Sequence, residues 1–405
     1  MATLHPFFAL RPSPQSAARV SAVPYDVVST EEARRLAEGN PLSFLHVSRP
    51  EIDLPPDTDS HADAVYQKAA ENFELMKRDA PLVSEGDACL YAYRLSVGGH
   101  EQTGIAGCCS IDEYDSDVIR KHERTRRDKE DDRTRHMIAL SAQTGPVFLT
   151  YRDVPAANAL VEECKRESPL YDFQSEDGVQ HTVWRMRQDP GRALVQAFVD
   201  VPRLYIADGH HRAASASRAR AHFRSLNPAD RTGLNEFDSF LTVLFPASQV
   251  RILPYNRIVR DLNGLSAEEL LQKVAKKYTV VENAPPEPAR PGEFAIYLAG
   301  RWYGLVPPEP DSETLDATAL QEGILSPILG IRDIRTDKRI DFVGGGRGTA
   351  ELERLVDSGA AAAAFSLYPV SVDQLIAVSD ANEIMPPKST WFEPKLRDGL
   401  LIHQI

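Results

Sequence analysis

Cysteine, basic charge and long apolar runs are all scarce in this chain of 405 residues, and each shortage narrows what it can do. The four cysteines, Cys89, Cys108, Cys109 and Cys164, form no C-x-x-C pair and read as core thiols rather than redox or metal groups. Acidic residues outnumber basic ones 59 to 46, a net charge of −13, which argues against a nucleic-acid backbone as the main partner. Nowhere do about 18 apolar residues run together, as a membrane span requires. The first residues lack the basic start and apolar centre of a signal peptide. A cytoplasmic protein with no membrane partner is expected. With 42% hydrophobic and 26% charged residues the composition is that of an ordinary folded chain, and the length predicts about two to three domains.

Reading along the chain gives a mixture of helix and strand signals. Residues 20 to 28 suggest a short strand and turn, and Ser29 with Glu31 and Glu32 predicts a helix N-terminus, ended by Gly39-Asn40-Pro41. Apolar residues at helical spacing from Ala64 to Met76 predict an amphipathic helix. Two β-rich stretches, 88 to 96 and 104 to 111, flank Gly98-Gly99 and predict a hairpin. A dense run of mixed charge from Arg120 to Arg133 precedes an apolar strand at 146 to 151. Residues 193 to 207 are rich in β-type side chains, and 212 to 223 have helical periodicity. Further on come a strand at 240 to 245, a helix from Ser266 to Tyr278 and a hairpin at 294 to 305. An alanine run at 360 to 364 reads as buried helix or strand. No internal repeat is visible.

The most informative segment is Ile206-Ala207-Asp208-Gly209-His210-His211-Arg212, where a strand turns sharply into a helix. Such a turn presents unpaired N–H groups at the positive end of a helix dipole, a setting that suits phosphate. Gly209 lets a ligand approach the backbone, and His210, His211 and Arg212 add donors of the kind that clamp phosphoryl oxygens. Asp208 is suited to hold Mg²⁺ or to accept a proton. A purely structural reading, with Asp208 as helix cap and surface histidines, stays open. Zinc is disfavoured, since adjacent helical side chains point in different directions.

From Ile206 through Ala216 the sequence resembles the phosphate-binding box of the ParB/sulfiredoxin superfamily, and the D-G-H-H-R form is that of its free serine kinases. That resemblance covers about residues 110 to 260. Together with Pro24-Tyr25-Asp26-Val27-Val28, His122-Glu123-Arg124-Thr125 and Met385-Pro386-Pro387-Lys388-Ser389-Thr390, the box also resembles a widespread bacterial family of uncharacterised proteins assigned as kinase-like, over nearly the whole chain. The first resemblance implies ATP or ADP with Mg²⁺ as cofactors and a small hydroxylated metabolite, free L-serine first, as acceptor. It also implies a base. In the free serine kinases a glutamate that follows a histidine after an early strand takes the hydroxyl proton, and His122-Glu123 matches that motif.

A carboxylate near a weakly nucleophilic hydroxyl is sensible chemistry in its own right. Around Glu123, the residues His122, Arg124, Thr125, Lys129 and Arg133, with Arg126 and Arg127, are candidates to hold substrate or neutralise the transferred group. The alternative for this run is a solvated charged helix. Asp26 and the Lys388-Ser389-Thr390 element receive no firm role, and Gly344-Gly345-Gly346-Arg347-Gly348 lacks the G-K-[ST] ending of a P-loop.

The expected architecture is α/β. A central ParB/sulfiredoxin-like nucleotide-binding module at 111–262 is flanked by α/β regions at 1–110 and 263–405. Two functional readings follow: a small-molecule kinase giving O-phospho-L-serine, and a nucleotide-switched binding protein in the manner of ParB. A homodimer is compatible with either. A sulfiredoxin-like reductase needs a cysteine where this chain has His210 or His211.

Overall fold

Gly98 and Gly99 take φ values of +55° and +79°, the left-handed region that a two-residue hairpin turn demands. The strands Tyr91–Val97 and His100–Ser110 pair antiparallel on either side of them. In this computed structural model, which describes residues 1–79, 82–226, 235–309 and 314–405, that hairpin lies within a nine-stranded sheet. Its order is Ile119–Arg120, Leu204–Asp208, Val147–Tyr151, Ser239–Pro246, His100–Ser110, Tyr91–Val97, Gln180–Arg185 and Tyr171–Gln174. Leu4–His5 pairs beside His100–Ser110. Two pairings are parallel, Ile119–Arg120 with Leu204–Asp208 and Val147–Tyr151 with Ser239–Pro246. The architecture is mixed α/β.

The chain divides into two compact units, Met1–Val250 with Pro394–Ile405, and Arg251–Glu393. Strands from both sides of residue 110 enter the nine-stranded sheet, because His100–Ser110 pairs with Ser239–Pro246. This grouping differs from three successive regions. The last residues of the chain return to the first unit, where Ile402–Gln404 pairs with Ala9–Pro12 and with Ala142–Gln143.

In the first unit the helix Thr30–Ala37 begins at a capping box of Ser29 and Glu32, and Asp63–Asp79 buries Val65, Tyr66, Ala69, Phe73 and Met76 along one face. Residues 188–198 form a helix, not the strand that Val195 and Phe198 suggest. Leu194 and Phe198 are buried one turn apart, and packing of that face overrides β propensity. Near the N-terminus, Ala17–Val20 is helical and Ala22 makes a single bridge to Asp398, where a short strand is expected from sequence. The core beneath the large sheet holds Ile105, Leu149, Phe198, Ile206 and Leu244. Ala213, Ala216 and Ala219 of the helix His210–Leu226 join it, so small side chains let that helix lie close.

The second unit is built on a six-stranded antiparallel sheet in the order Thr279–Glu282, Arg301–Val306, Phe294–Leu298, Ala363–Leu367, Tyr255–Val259 and Ile340–Gly344. The alanine run ends in its fully buried central strand. Ser266 and Glu269 cap the helix Ala267–Val274, which stops before the expected Tyr278. The glycine cluster ends a strand: a Cβ on Gly344 or Gly346 would meet the Trp391 ring, so these glycines serve packing. All four cysteines are buried and reduced. Burial raises the Cys109 thiol to about 12 and that of Cys164 to about 11, as core thiols require. Among the described residues no helix is long and apolar enough to cross a membrane.

Candidate functional site

The strand Leu204–Asp208 ends at Gly209, whose φ of +94° reverses the chain into the helix His210–Leu226. Glycine is needed twice over. A side chain would be strained at that φ, and a Cβ would lie 2.9 Å from Arg212 Nε. Arg212 folds back beneath the turn and is 8% exposed. Its Nη1 donates to the Pro146 carbonyl at 2.6 Å, and its Nη2 meets Asp208 Oδ2 at 3.3 Å.

The two histidines also face the fold. His210 is buried, and its Nε2 accepts the His122 backbone N–H at 3.4 Å. Burial, with His122 close by, pushes its basicity well below the ordinary value, so it is neutral at neutral pH. His211 Nε2 accepts the Arg126 N–H at 3.0 Å. The sequence suggests these three side chains as phosphate clamps. In the structure each is engaged with the protein itself, because the turn is held in place by them. What remains for an anion is the backbone of the first helical turn, whose N–H groups lack partners within the helix.

Asp208 is half-buried, with Lys395 Nζ 3.4 Å from its Oδ2 beside Arg212. Burial alone would raise its carboxyl, but the pull of Lys395 and Arg212 holds it below the carboxylate range. A carboxylate between two cations does not fit a protein-built magnesium site. Among the described residues no group of three His, Cys, Asp or Glu could hold a metal ion.

The charged run divides in two. Residues 121–126 lead from the strand Ile119–Arg120 across the turn, and Arg127–Leu140 is a helix. That helix is tied to the box helix, with Ser215 Oγ donating to the Glu130 carbonyl at 3.2 Å and Arg218 pairing with Glu130 and Asp131. Glu123 is half-buried and directly follows His122, whose ring stands 4.5 Å from that of His210. Thr125 donates to Glu130, Arg124 is exposed, and Lys129 is half-buried in the first helical turn. Arg133 is directed elsewhere. It pairs with Asp132 at 2.8 Å, donates to the Ser48 carbonyl at 3.3 Å and stacks on Tyr25 at 4.1 Å.

Arg133 and Arg212 both line a small cavity with Tyr25, Ser48, Gly145 and Asp398. Tyr25 stands in the Pro24-Tyr25-Asp26 motif without a role of its own in the sequence, and Lys395 and Asp398 stand in no motif at all. The Pro-Tyr-Asp turn and the placement of charge just after the tail were the signals available. Lys388, Ser389 and Thr390 belong to the second unit, where Lys388 Nζ lies 5.5 Å from the Tyr255 ring and Ser389 Oγ donates to the Pro386 carbonyl.

Fold and site together define a mixed α/β protein built around a strand–glycine–helix turn. The chain belongs to the family described as protein of unknown function DUF1015, which it matches over residues 4–324. No curated protein matches it. Among solved structures it is similar to a conserved hypothetical protein from Pyrococcus furiosus, at 11% identity and TM-score 0.37, covering 73% of this chain and 94% of that one. It is also similar to a free serine kinase in complex with AMP, at 11% identity and TM-score 0.36, with 71% and 86% covered. A third is SbnI with C-terminal truncation from Staphylococcus aureus, at 12% identity and TM-score 0.39, with 72% and 84% covered.

Proposed function

We propose that this protein transfers a phosphoryl group from a nucleotide, ATP or ADP, to the hydroxyl of a small metabolite in the cytoplasm, with free L-serine the first candidate acceptor. One observation carries the reading. The contact between His122 and His210 brings the residue before Glu123 onto a strand–glycine–helix turn, across 88 positions of sequence.

In this reading the phosphates lie against the first N–H groups of the helix at His210, where donors without acceptors inside the helix and the dipole favour anions. His210 and Arg212 hold the turn in shape, and Lys395 beside Asp208 adds positive charge. Glu123 takes the acceptor's hydroxyl proton as the new O–P bond forms and the bond from the terminal phosphorus to its bridging oxygen breaks, releasing the shortened nucleotide. Magnesium would arrive on the nucleotide, held by phosphate oxygens. The corresponding fold proposal is a ParB/sulfiredoxin-like module at 111–262 between regions 1–110 and 263–405, with the strands Tyr91–Val97 and His100–Ser110 of the first region joined to its sheet.

The test is phosphorus NMR on purified protein with Mg²⁺, a nucleotide panel, and serine with related hydroxyl compounds. A new phosphomonoester is expected. Glu123→Gln should lower transfer by roughly 10²- to 10⁴-fold, the usual share of a general base, while nucleotide binding persists. Loss of both, or of neither, removes Glu123 from the role. Nucleotide binding with no phosphomonoester in any mixture would instead mark a nucleotide-switched binding protein.

A further inference from the structure

We propose that the cavity at Tyr25, Ser48, Gly145, Arg212 and Asp398 binds the zwitterionic head of an α-amino acid, carboxylate toward Arg212 and Ser48, ammonium toward Asp398. It deepens the function proposed above: treating that amino acid as the phosphoryl acceptor rests on that reading, whereas its binding does not.

Six segments of the first unit converge on the cavity: the Pro24-Tyr25-Asp26 turn, the helix ending at Ser48, the helix Arg127–Leu140, residues 142–145 after it, the box helix and the returning C-terminal segment. Its volume is about 40 Å³. A buried water needs roughly 10–15 Å³ on that measure, so there is room for a few heavy atoms. Ser48, Asp398 and Arg212 are 2%, 3% and 8% exposed. Ser48 Oγ, Arg212 Nε and Asp398 Oδ1 have no hydrogen-bond partner among the described residues. Buried polar atoms are almost always satisfied, and three residues of one cavity lining each carry an unsatisfied one, which argues for a guest that satisfies them.

The charges select the guest. Arg133 and Arg212 contribute two positive groups, while Asp398 and nearby Asp26 contribute negative ones. The N–H groups of Arg133 already serve Asp132 and the Ser48 carbonyl, so it supplies field rather than contact. A simple anion would sit against Asp398, and a simple amine against Arg212. A molecule with carboxylate and ammonium on one carbon satisfies both. Gly145 sets the shape, since a Cβ there would collide with Asp398 Oδ1.

The experiment is calorimetric titration of the full chain, without nucleotide, by glycine, L-serine, ethanolamine and 3-hydroxypropionate. Glycine and serine should bind, and the two truncated probes about tenfold more weakly or worse, the cost of one charge-assisted bond. Asp398→Asn and Ser48→Ala should each weaken glycine binding while the thermal melt stays cooperative. Should Asp398→Asn not fold, the four-probe series on the native chain decides alone. Equal binding of all four probes, or binding of none because the cavity holds only water, overturns the inference. Amino-acid binding without phosphoryl transfer leaves this inference standing and removes the kinase.

Discussion

The rings of His122 and His210 stand edge to face at 4.5 Å and 88°, with the His122 N–H donating to His210 Nε2. This contact joins the segment carrying Glu123 to the turn at Gly209, and both imidazoles are neutral because burial disfavours the charged ring. A neutral His210 is required, since a protonated Nε2 could not accept that bond.

Acid should therefore loosen the first unit. Burial lowers His122 and His136 to about 4 and His181 to about 3, against an unfolded value of about 6.5. The unfolded chain takes up protons first as pH falls, so stability is full above about 6.5 and is lost toward pH 4. The loss is on the order of 3 kcal/mol per histidine. Asp398, raised to about 7 by burial, works in the opposite sense over that range, but three groups outweigh one. Urea midpoints between pH 4.5 and 7.5 should fall with acidity, and a midpoint that is flat or rises would contradict the buried neutral histidines.

Gly209→Ala should act on both stability and binding. The left-handed φ and the approach to Arg212 Nε predict a destabilisation of about 1–3 kcal/mol, read by denaturant unfolding. Nucleotide affinity, followed by fluorescent-nucleotide titration, should fall further than in a control of equal instability such as Leu194→Val. Equal effects from the two variants would mean that the turn has no ligand of its own.

Much of this was legible in sequence where local chemistry governs. The Gly98-Gly99 hairpin, the Ser29 and Ser266 caps and the strand–turn–helix at Gly209 each depend on a few adjacent residues. Direction was not legible. Whether His210 and Arg212 face solvent or protein depends on the Pro146 carbonyl and the His122 backbone, which approach from 66 and 88 residues away. The helix at 188–198 was hidden for a related reason, because Leu194 and Phe198 find their partners only once the sheet exists. Asp398 had no local motif to announce it, and its importance comes from six segments, its own included, meeting at one cavity.

Lys395 offers a test of charge at the turn. At 3.4 Å from Asp208 it shares that carboxylate with Arg212. Lys395→Met keeps the length and removes the charge. On the proposed placement of the phosphates, loss of this partly buried cation should weaken nucleotide binding about tenfold, with less effect at high salt. Unchanged affinity at low salt would remove Lys395 from the site and leave the backbone turn to bind alone.

The pH dependence of amino-acid binding should isolate Asp398. Its carboxyl faces Arg212 of the box helix, Asp26 of the N-terminal turn, Arg133 of the neighbouring helix and Arg397 beside it, with Tyr25 and His136 also lining the cavity. Burial, reinforced by Asp26, outweighs the three arginines and holds it near 7. Below that value the acid is neutral and attracts an ammonium weakly; above it the carboxylate forms. Glycine affinity should therefore rise by about tenfold between pH 6 and pH 8, the gain expected when a neutral partner becomes a charged one. Asp398→Asn should abolish the rise and leave the weaker, flat affinity. His136 is lowered to about 4 and stays neutral across the range, so it cannot imitate the effect. A rise that survives in Asp398→Asn would assign it to another group and detach Asp398 from the ammonium.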